Sequence, residues 1–282
     1  MNNEYNVKEK VILIDFLMND LNYNHKKAKT LLTKKQVLVN GKIRSQYNYQ
    51  LNKDDKIQIK NYNSSLIPKE IDIVYEDKNI IVVNKPHNLL TIATESEKEK
   101  TLYHVVSDYV KAKNKNARIF IVHRLDKETS GLILFAKNEE VKKIYQSKWN
   151  DIVKYRGYVA VVEGKLEKKE ELVKANLKEN KNLKMYVSND GIEAITKYKV
   201  IKENDKYSLV DIELKTGRKN QIRATFEYLK HPIIGDSKYS SKDNSIKRLA
   251  LHAYKLIIIN PVTKKEMNFT LDIPKEFKNI TK

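Results

Sequence analysis

The chain has 282 residues, no cysteine, and 55 Lys and Arg against 36 Asp and Glu, which gives a formal net charge of +19. The lack of cysteine excludes disulfides, thiolate metal sites and cysteine nucleophiles, and the lack of any apolar run near ~18 residues excludes a membrane-spanning helix. The positive charge favours a polyanionic partner, most simply nucleic acid, although an A/T-rich gene, which enriches lysine, asparagine and isoleucine, would produce the same charge.

Residues 10–60 have the pattern of a small α/β module. Apolar residues at helical spacing over 11–17 and 28–32 predict two short helices. The sequence Val-Asn-Gly-Lys at 39–42 predicts a hairpin, because Asn and Gly both tolerate positive φ. A strand is predicted to follow at 57–60.

This order of helix, helix, hairpin and strand resembles the S4 RNA-binding domain. The resemblance implies that the helical pair and the hairpin present a basic surface to RNA. The alternative is the ordinary solvated face of a small module. The candidate RNA contacts on this surface are His25, Lys26, Lys27, Lys29, Lys34, Lys35, Lys42 and Arg44.

Residues 61–69 are polar and contain a proline, which predicts a linker to a larger domain over 70–282. Beyond it, residues 71–86 predict two strands joined by a turn, and the second strand leads into a loop at Lys85. Residues 101–113 predict a helix that begins after an N-cap threonine.

The segment 118–138, RIFIVHRLDKETSGLILFAKN, places a polar insert between two apolar runs. Apolar runs of this length, rich in Ile, Val and Phe, predict buried strands, and catalytic residues favour loops on such a scaffold. Asp126 lies beside Arg124 and Lys127, cations that favour its ionised form. The same pattern also fits a simple polar turn that ends at Gly131.

The letters HRLDKETSGLILFAKN closely resemble the catalytic motif of the RluA-type pseudouridine synthases. The resemblance implies that Asp126 is the essential carboxylate and that Arg124 fills the space left by a flipped base. It also implies that His123 and Lys85 belong to the RNA-binding cleft, where Lys85 would contact phosphate.

Several further elements follow this motif in the chain. Residues 139–151 predict a helix with Asn138 as N-cap. The strongly charged segment 165–190 predicts an excursion with a β-rich loop, and residues 194–201 and 207–214 predict two paired strands. A helix is expected to begin near Lys219, and residues 248–274 predict two strands around a turn.

The strand predicted over 154–164, KYRGYVAVVEG, resembles a family strand of pattern K-x-Y-x-A-x-V-x-G. Arg156 and Tyr158 share one face of this strand, and Arg156 replaces the usual lysine. The register implies that Tyr158, rather than Tyr155, is the functional tyrosine, which would stack on the base and assist proton removal from C5.

Residues 214–239 resemble the family motif TGRxHQIRxH, followed by G-H-P-I-x-G-D. The resemblance implies that Arg218 and Gln221 contact RNA. It also implies that the Arg223 guanidinium binds Asp126 bidentately, orients it and keeps it ionised. Asn220 and Thr225 stand where the motif has histidine, and the first of these replacements retains a hydrogen-bonding side chain.

Three motifs in the family's order cover nearly the whole chain. They imply an S4-type α/β module followed by a pseudouridine synthase domain, an α+β fold with a long, mixed, largely antiparallel sheet. The implied activity is isomerisation of uridine in structured RNA, without metal or cofactor. We expect a cytoplasmic monomer that acts on ribosomal RNA, with transfer RNA as the second expectation and no membrane partner.

Two other classes of function stay open at this point. A non-catalytic RNA-binding or ribosome-assembly protein could be built on the same fold, and the two histidine replacements motivate it. A metal-dependent nuclease would need clustered carboxylates or histidines, which the sequence does not show at ligand spacing.

Overall fold

The computed structural model describes residues 3–33, 36–59, 72–94 and 101–282. The chain divides into two compact units, residues 1–66 and 67–282. Lys34 and Lys35 and the predicted linker at 61–69 lie outside the described residues. Within the described part of the chain, no helix has the length and apolar character needed to cross a bilayer.

The first unit combines short strands with two helical segments around one core. Asn40 and Gly41 both have positive φ, 49° and 77°, which confirms the hairpin, whereas the helix predicted over 11–17 is a short strand followed by one α turn and a π-helical turn. Strands β1, β6, β3 and β4, in that order, form an antiparallel sheet, and β2 pairs with β5. The elements are β1 (Asn3–Asn6), β2 (Val11–Ile12), α1 (Leu13–Asp15), a π-helix (Phe16–Asp20), α2 (His25–Thr33), β3 (Val37–Val39), β4 (Lys42–Ile43), β5 (Gln50–Leu51) and β6 (Lys56–Ile59).

The second unit is built on one large sheet. Its strands are β7 (Asp72–Glu76), β8 (Ile80–Lys85), β9 (Phe120–Ile121), β10 (Ser130–Ala136), β11 (Val153–Glu163), β12 (Glu170–Glu179), β13 (Met185–Val187), β14 (Ile192–Glu203), β15 (Tyr207–Leu214), β16 (Leu251–Ile259) and β17 (Glu266–Thr270). Its helices are α3 (Leu102–Lys113), α4 (Glu139–Ser147), α5 (Trp149–Ile152), α6 (Gln221–Tyr228) and α7 (Lys275–Ile280), with a 3-10 turn at Ser237–Tyr239.

The eleven strands of this sheet follow the order β13-β12-β14-β15-β11-β16-β10-β8-β7, with β17 beside β16 and β9 beside β10. The pair β10–β16 is parallel, and the other paired strands of the sheet run antiparallel. The prediction of a mixed, largely antiparallel sheet in an α+β fold is therefore confirmed.

Strands β8 and β10 are buried on both faces, which explains their continuous apolar runs. Ile81 and Ile133 pack on one side of the sheet with α3, whereas Val82 and Leu134 pack on the other side with α4. Both helices begin at the predicted caps, since the Thr101 hydroxyl accepts from His104 N and the Asn138 carboxamide accepts from Val141 N. The loop between β9 and β10 therefore rests on a strand that is fixed from two sides.

The charged segment 165–190 is β structure, as predicted, but it is more regular than the predicted β-rich loop. It forms the regular strands β12 and β13. Strand β12 pairs with β14, from Glu170 opposite Lys199 to Leu177 opposite Ile192. Val173 and Leu177 are its buried positions. The signal was an alternation of period two, which the many lysines and glutamates on the exposed face concealed.

A glycine substitution tests the parallel contact between β10 and β16. Gly131 has φ +116°, and a Cβ there would lie 2.2 Å from the Ala253 carbonyl oxygen. Gly164 has φ +77°, but its Cβ would approach only a side chain, His231 Nδ1 at 3.3 Å. Both alanine variants carry the left-handed strain of about 1–2 kcal/mol, and Gly131→Ala must also displace backbone, so we expect it to lose at least ~2 kcal/mol more.

Denaturant unfolding of the two variants measures this difference. Equal losses of unfolding free energy would show that β16 can move away from Gly131, and would contradict the close contact.

Candidate active site

The segment between β9 and β10 holds Asp126 by fixing the backbone on both sides of it. Leu125 is buried in the core beside α3, and its carbonyl accepts from the Thr91 hydroxyl at 2.8 Å. On the other side, Lys85 Nζ donates to the Lys127 carbonyl at 3.0 Å. The Asp126 side chain remains 34% exposed, so a ligand can reach it.

Lys85 is fully buried, which corrects the expectation that it contacts phosphate. Its Nζ donates to the carbonyls of Pro86 at 3.1 Å, Leu89 at 2.7 Å and Lys127 at 3.0 Å. Burial lowers the pKa of Lys85 to about 7, although the Asp126 carboxylate opposes that shift. Because three carbonyls need three N–H donors, the ammonium is the form that fits, and it ties the loop after β8 to the loop that carries Asp126.

Arg223, in the first turn of α6, is 6% exposed and forms its bidentate pair with Asp236. Its Nε and Nη2 donate to the two Asp236 oxygens, each at 2.7 Å. The remaining nitrogen, Nη1, lies 3.8 Å from Asp126 Oδ2 and 3.4 Å from Glu128 Oε2. The predicted bidentate pair between Arg223 and Asp126 is therefore wrong. Asp236 is the bidentate partner, and only Nη1 of the guanidinium faces Asp126.

The surroundings of Asp126 oppose its ionisation more than they favour it. Burial raises the pKa of the Asp126 carboxyl, Arg223 pulls the pKa down, and the Glu128 carboxylate pushes it up. The cations that lower the pKa of Asp126 are Arg223 and Lys85, and burial outweighs them. Arg124 is exposed, and the hydrogen bonds of Lys85 Nζ go to backbone carbonyls.

Tyr158, on β11, shares this site with Asp126. It packs against the cluster that includes Leu125, and burial raises its pKa to about 12, with Arg156 opposing the shift and Asp126 adding to it. The residue is therefore a neutral phenol beside the carboxylate. The structure thus brings Asp126, Tyr158 and Arg223 together, as the motifs imply.

His123 and Gln221 are structural residues, which corrects their assignment as RNA contacts. His123 Nε2 accepts from Leu134 N at 3.0 Å, and burial lowers its pKa to about 3. The Gln221 carboxamide is buried and fully bonded: its oxygen accepts from Thr216 Oγ1 and Arg218 N, and its nitrogen donates to Thr196 Oγ1 and the Ile195 carbonyl.

The other predicted RNA contacts lie at the surface of their units. Arg218 is exposed and donates from Nε to the Glu193 carbonyl at 3.0 Å. In the first unit, Lys26, Lys27 and Lys42 are exposed and Arg44 is half-buried against the Tyr49 ring. Among the residues that the structure describes, no group of three or more His, Asp or Glu could hold a metal ion.

Comparison with known proteins decides the family. Residues 79–228 match the family described as RNA pseudouridylate synthase. The chain is 32% identical to an uncharacterised RNA pseudouridine synthase of Mycoplasma pneumoniae, over 93% of this chain and 89% of the relative. The chain belongs to the RNA pseudouridylate synthase family. This synthase is therefore an isomerase that converts uridine in RNA to pseudouridine.

Further relatives agree with this membership. The synthase is 35% identical to ribosomal large subunit pseudouridine synthase D of Borreliella burgdorferi, over 79% of this chain and 71% of the relative. The structure of human RNA pseudouridylate synthase domain containing 4 has the same fold, with a TM-score of 0.62 at 24% identity over 76% of this chain and 92% of that chain.

Sequence reasoning missed three residues that contact Arg223 or Asp126. Asp236 pairs with Arg223, the Tyr239 ring lies 5.0 Å from the Arg223 guanidinium, and the Asn220 carboxamide lies within 3.1 Å of both Asp126 oxygens. Asp236 is the last residue of the segment that resembles G-H-P-I-x-G-D, which reads KHPIIGD over 230–236, so the signal was present without an assigned partner. Asn220 was visible only as a replacement for histidine. Tyr239 carries no pattern of its own, since the chain has 17 tyrosines.

The Arg223–Asp236 pair predicts a strong effect of one neutral substitution. Asp236→Asn leaves a buried guanidinium without its carboxylate, so the unfolding free energy of the synthase should fall by roughly 3–5 kcal/mol. Turnover should fall as well, because Arg223 Nη1 is no longer held towards Asp126.

The control is Asp190→Asn, which removes a carboxylate from an exposed pair with Lys178. That variant should unfold at the denaturant concentration of the wild type, since exposed pairs add little. Matching midpoints for both variants would contradict the importance of the buried pair.

Proposed function

We propose that Asp126 is the catalytic carboxylate of the synthase, assisted by Tyr158 and Arg223. The observation that carries this proposal is a reachable carboxylate on a backbone held from both sides, facing a buried guanidinium at 3.8 Å. Pseudouridine formation breaks the N1–C1′ bond of uridine, turns the base and joins C5 to C1′. A carboxylate can attack C1′, attack C6 or remove a sugar proton, and each route needs Asp126 ionised.

Burial of Asp126 supports this role because a partly desolvated carboxylate is more reactive than a hydrated one. Arg223 Nη1 offsets part of the cost of ionisation without covering both oxygens. The target uridine must leave its stack to reach the carboxylate. Exposed Arg124, two residues before Asp126, is suited to fill the vacated space.

Tyr158 is proposed to stack on the flipped base and to help the proton leave C5. Its pKa of about 12 keeps the hydroxyl protonated near neutral pH. The tyrosine therefore acts as a neutral hydroxyl that relays the proton, rather than as a phenolate that removes it.

We propose large-subunit ribosomal RNA as the substrate, with the protein acting as a cytoplasmic monomer. The support is the Borreliella burgdorferi relative, whose name states a ribosomal large subunit activity, together with the net charge of +19. Transfer RNA is the second substrate class, and the assay below separates the two.

We propose further that residues 10–60 form an S4-type RNA-binding domain, joined by residues 61–69 to a catalytic domain over 70–282. The exposed lysines of α2 and the β3–β4 hairpin support this proposal. Lys27 Nζ also lies 3.9 Å from the Tyr23 ring centroid, so a cation and an aromatic ring lie together on this surface. Such a combination suits RNA backbone and unstacked bases.

The assignment of Asp126 is tested by tritium release from RNA labelled at uridine C5. Unmodified ribosomal and transfer RNA are assayed separately with wild type and Asp126→Asn. We expect release from ribosomal RNA with wild type, and at least about 100-fold slower release with the variant. Full activity in Asp126→Asn would contradict the catalytic role of Asp126. Release from transfer RNA alone would contradict ribosomal RNA as the substrate.

The same variant should remain folded. Because burial raises the folded-state pKa of Asp126 above its unfolded value, the carboxyl adds stability below the unfolded pKa and loses it as the pH rises through the folded pKa. At neutral pH the ionised group therefore costs stability. Asp126→Asn should unfold at the same denaturant concentration as wild type or a higher one.

The RNA-binding role of the first unit predicts a change in affinity with little change in the chemical step. Lys26→Ala combined with Lys27→Ala should weaken RNA binding and reduce the slope of log affinity against log salt by roughly 0.7–0.9 per lost phosphate contact. The rate at saturating RNA should stay at the wild-type value.

The matched control is Lys111→Ala combined with Lys115→Ala, two exposed lysines of the second unit. This pair removes the same charge and should leave the salt slope near that of wild type. Identical slopes for both double variants would refute a specific RNA surface on the first unit.

A further inference from the structure

Asn220 lies between the Asp126 carboxylate and the Tyr239 hydroxyl. One terminal atom of its carboxamide is 2.8 Å from Asp126 Oδ2 and 3.1 Å from Asp126 Oδ1, and the other terminal atom is 3.1 Å from the Tyr239 hydroxyl. An ionised carboxylate can only accept hydrogen bonds, so the nitrogen must face Asp126 and the oxygen must face Tyr239.

Tyr239 favours the same orientation of this carboxamide. The tyrosine is fully buried, and its hydroxyl oxygen accepts from Met185 N at 3.0 Å. The hydroxyl proton is therefore available to the Asn220 oxygen. The Arg223 guanidinium lies over the tyrosine ring, 5.0 Å from its centroid, and holds the ring in place. A reversed carboxamide could still donate to the Tyr239 hydroxyl, but its oxygen would face the Asp126 carboxylate and would no longer accept the hydroxyl proton.

The backbone of Asn220 restricts which residues can take this place. Asn220 precedes α6 with φ 49° and ψ 26°, in the left-handed region. Among residues other than glycine, Asn, Asp and His adopt this region most readily. Of these three, Asn and His can donate a hydrogen bond, and His is the residue that the resembling family motif has here.

Asn220 contacts Asp126 more closely than Arg223 does. The guanidinium nitrogen is 3.8 Å from Asp126 Oδ2, which is beyond hydrogen-bond distance, whereas both carboxamide distances are within it. Arg223 therefore supplies charge, and its geometry is committed to Asp236. A directional contact to the carboxylate comes from Asn220.

We propose that Asn220 is a positioning residue, whose carboxamide orients the Asp126 carboxylate for attack under the control of Tyr239. This inference rests on the proposed catalytic role of Asp126. Without the carboxamide, the carboxylate can turn about its side-chain bonds, and its ionised form loses a donor. The consequence is a slower chemical step, with RNA affinity retained.

The experiment compares three variants at this position by single-turnover tritium release at saturating RNA, across pH. Asn220→Gly keeps the left-handed backbone and removes the carboxamide, and we expect about 10–100-fold slower turnover. Asn220→Asp keeps the shape but replaces the donor with a second carboxylate, so its rate should be lower still. Asn220→His restores a donor and should recover most of the rate.

The pH profile separates positioning from a merely structural effect. A hydrogen-bond donor stabilises ionised Asp126, so loss of the donor raises the pKa of that carboxyl. The acid limb of the rate profile should therefore move to higher pH in Asn220→Gly, and further in Asn220→Asp. RNA affinity should stay within about twofold of wild type in all three variants, since the bond is made to Asp126 and not to RNA.

Two further variants keep the test decisive. Lys230→Gly, at the opposite end of α6 and also left-handed with φ 64°, should leave the rate and the pH profile unchanged. Tyr239→Phe removes the hydroxyl that directs the carboxamide while leaving residue 220 intact, and should shift the acid limb in the same direction by a smaller amount. It provides the readout if Asn220→Gly does not fold.

The possible failures are distinguishable. A wild-type rate and pH profile in Asn220→Gly, or in Tyr239→Phe where the glycine variant does not fold, would overturn the positioning role and leave the assignment of Asp126 intact. An active Asp126→Asn would overturn the catalytic assignment itself, whatever the Asn220 variants show.

Discussion

The ion pair between Arg223 and Asp236 is the interaction on which the site depends. Both side chains are buried, and an isolated charge in such a place would be costly. The two hydrogen bonds of 2.7 Å satisfy each charge with the other, and Asp236 Oδ1 also accepts from Tyr239 N at 3.2 Å. The pair thereby joins α6 to the segment after it and fixes both Nη1 of Arg223 and the ring of Tyr239.

This arrangement resolves a conflict between charge and reactivity at Asp126. A bidentate arginine on Asp126 would stabilise the carboxylate strongly and occupy both oxygens. Because Asp236 is the bidentate partner of Arg223, Asp126 receives an attractive charge at 3.8 Å and no bidentate ion pair. Burial raises the pKa of Asp126, and the charge of Arg223 lowers it. The ionised fraction of Asp126 therefore depends on the few groups that contact the carboxylate.

Much of the fold could be predicted from the sequence, because its signals are local. The caps at Thr101 and Asn138, the hairpin at Asn40 and Gly41, and the paired strands β14 and β15 all follow from residue types over a few positions. Strand β12 was missed because its buried positions are few and separated by charges. The meeting of Asp126, Tyr158 and Arg223 followed from resemblance, since no local pattern places residues so far apart in the chain side by side.

The site residues that were assigned wrongly share one physical cause. Lys85, His123 and Gln221 are polar residues in or beside the functional motifs, and each bonds to backbone groups of a neighbouring segment. The loop that carries Asp126 and the strands beside the motifs have buried carbonyl and N–H groups that need partners. Side chains within the motifs supply those partners.

The sequence shows a polar side chain but not the distant backbone group that it bonds. From sequence alone, a residue that supports the site therefore looks the same as one that contacts RNA. Charge and exposure in the folded chain separate the two kinds. Buried Lys85 supports the loop that holds Asp126. Arg124, two residues before Asp126, is exposed, as the proposed contact with RNA requires.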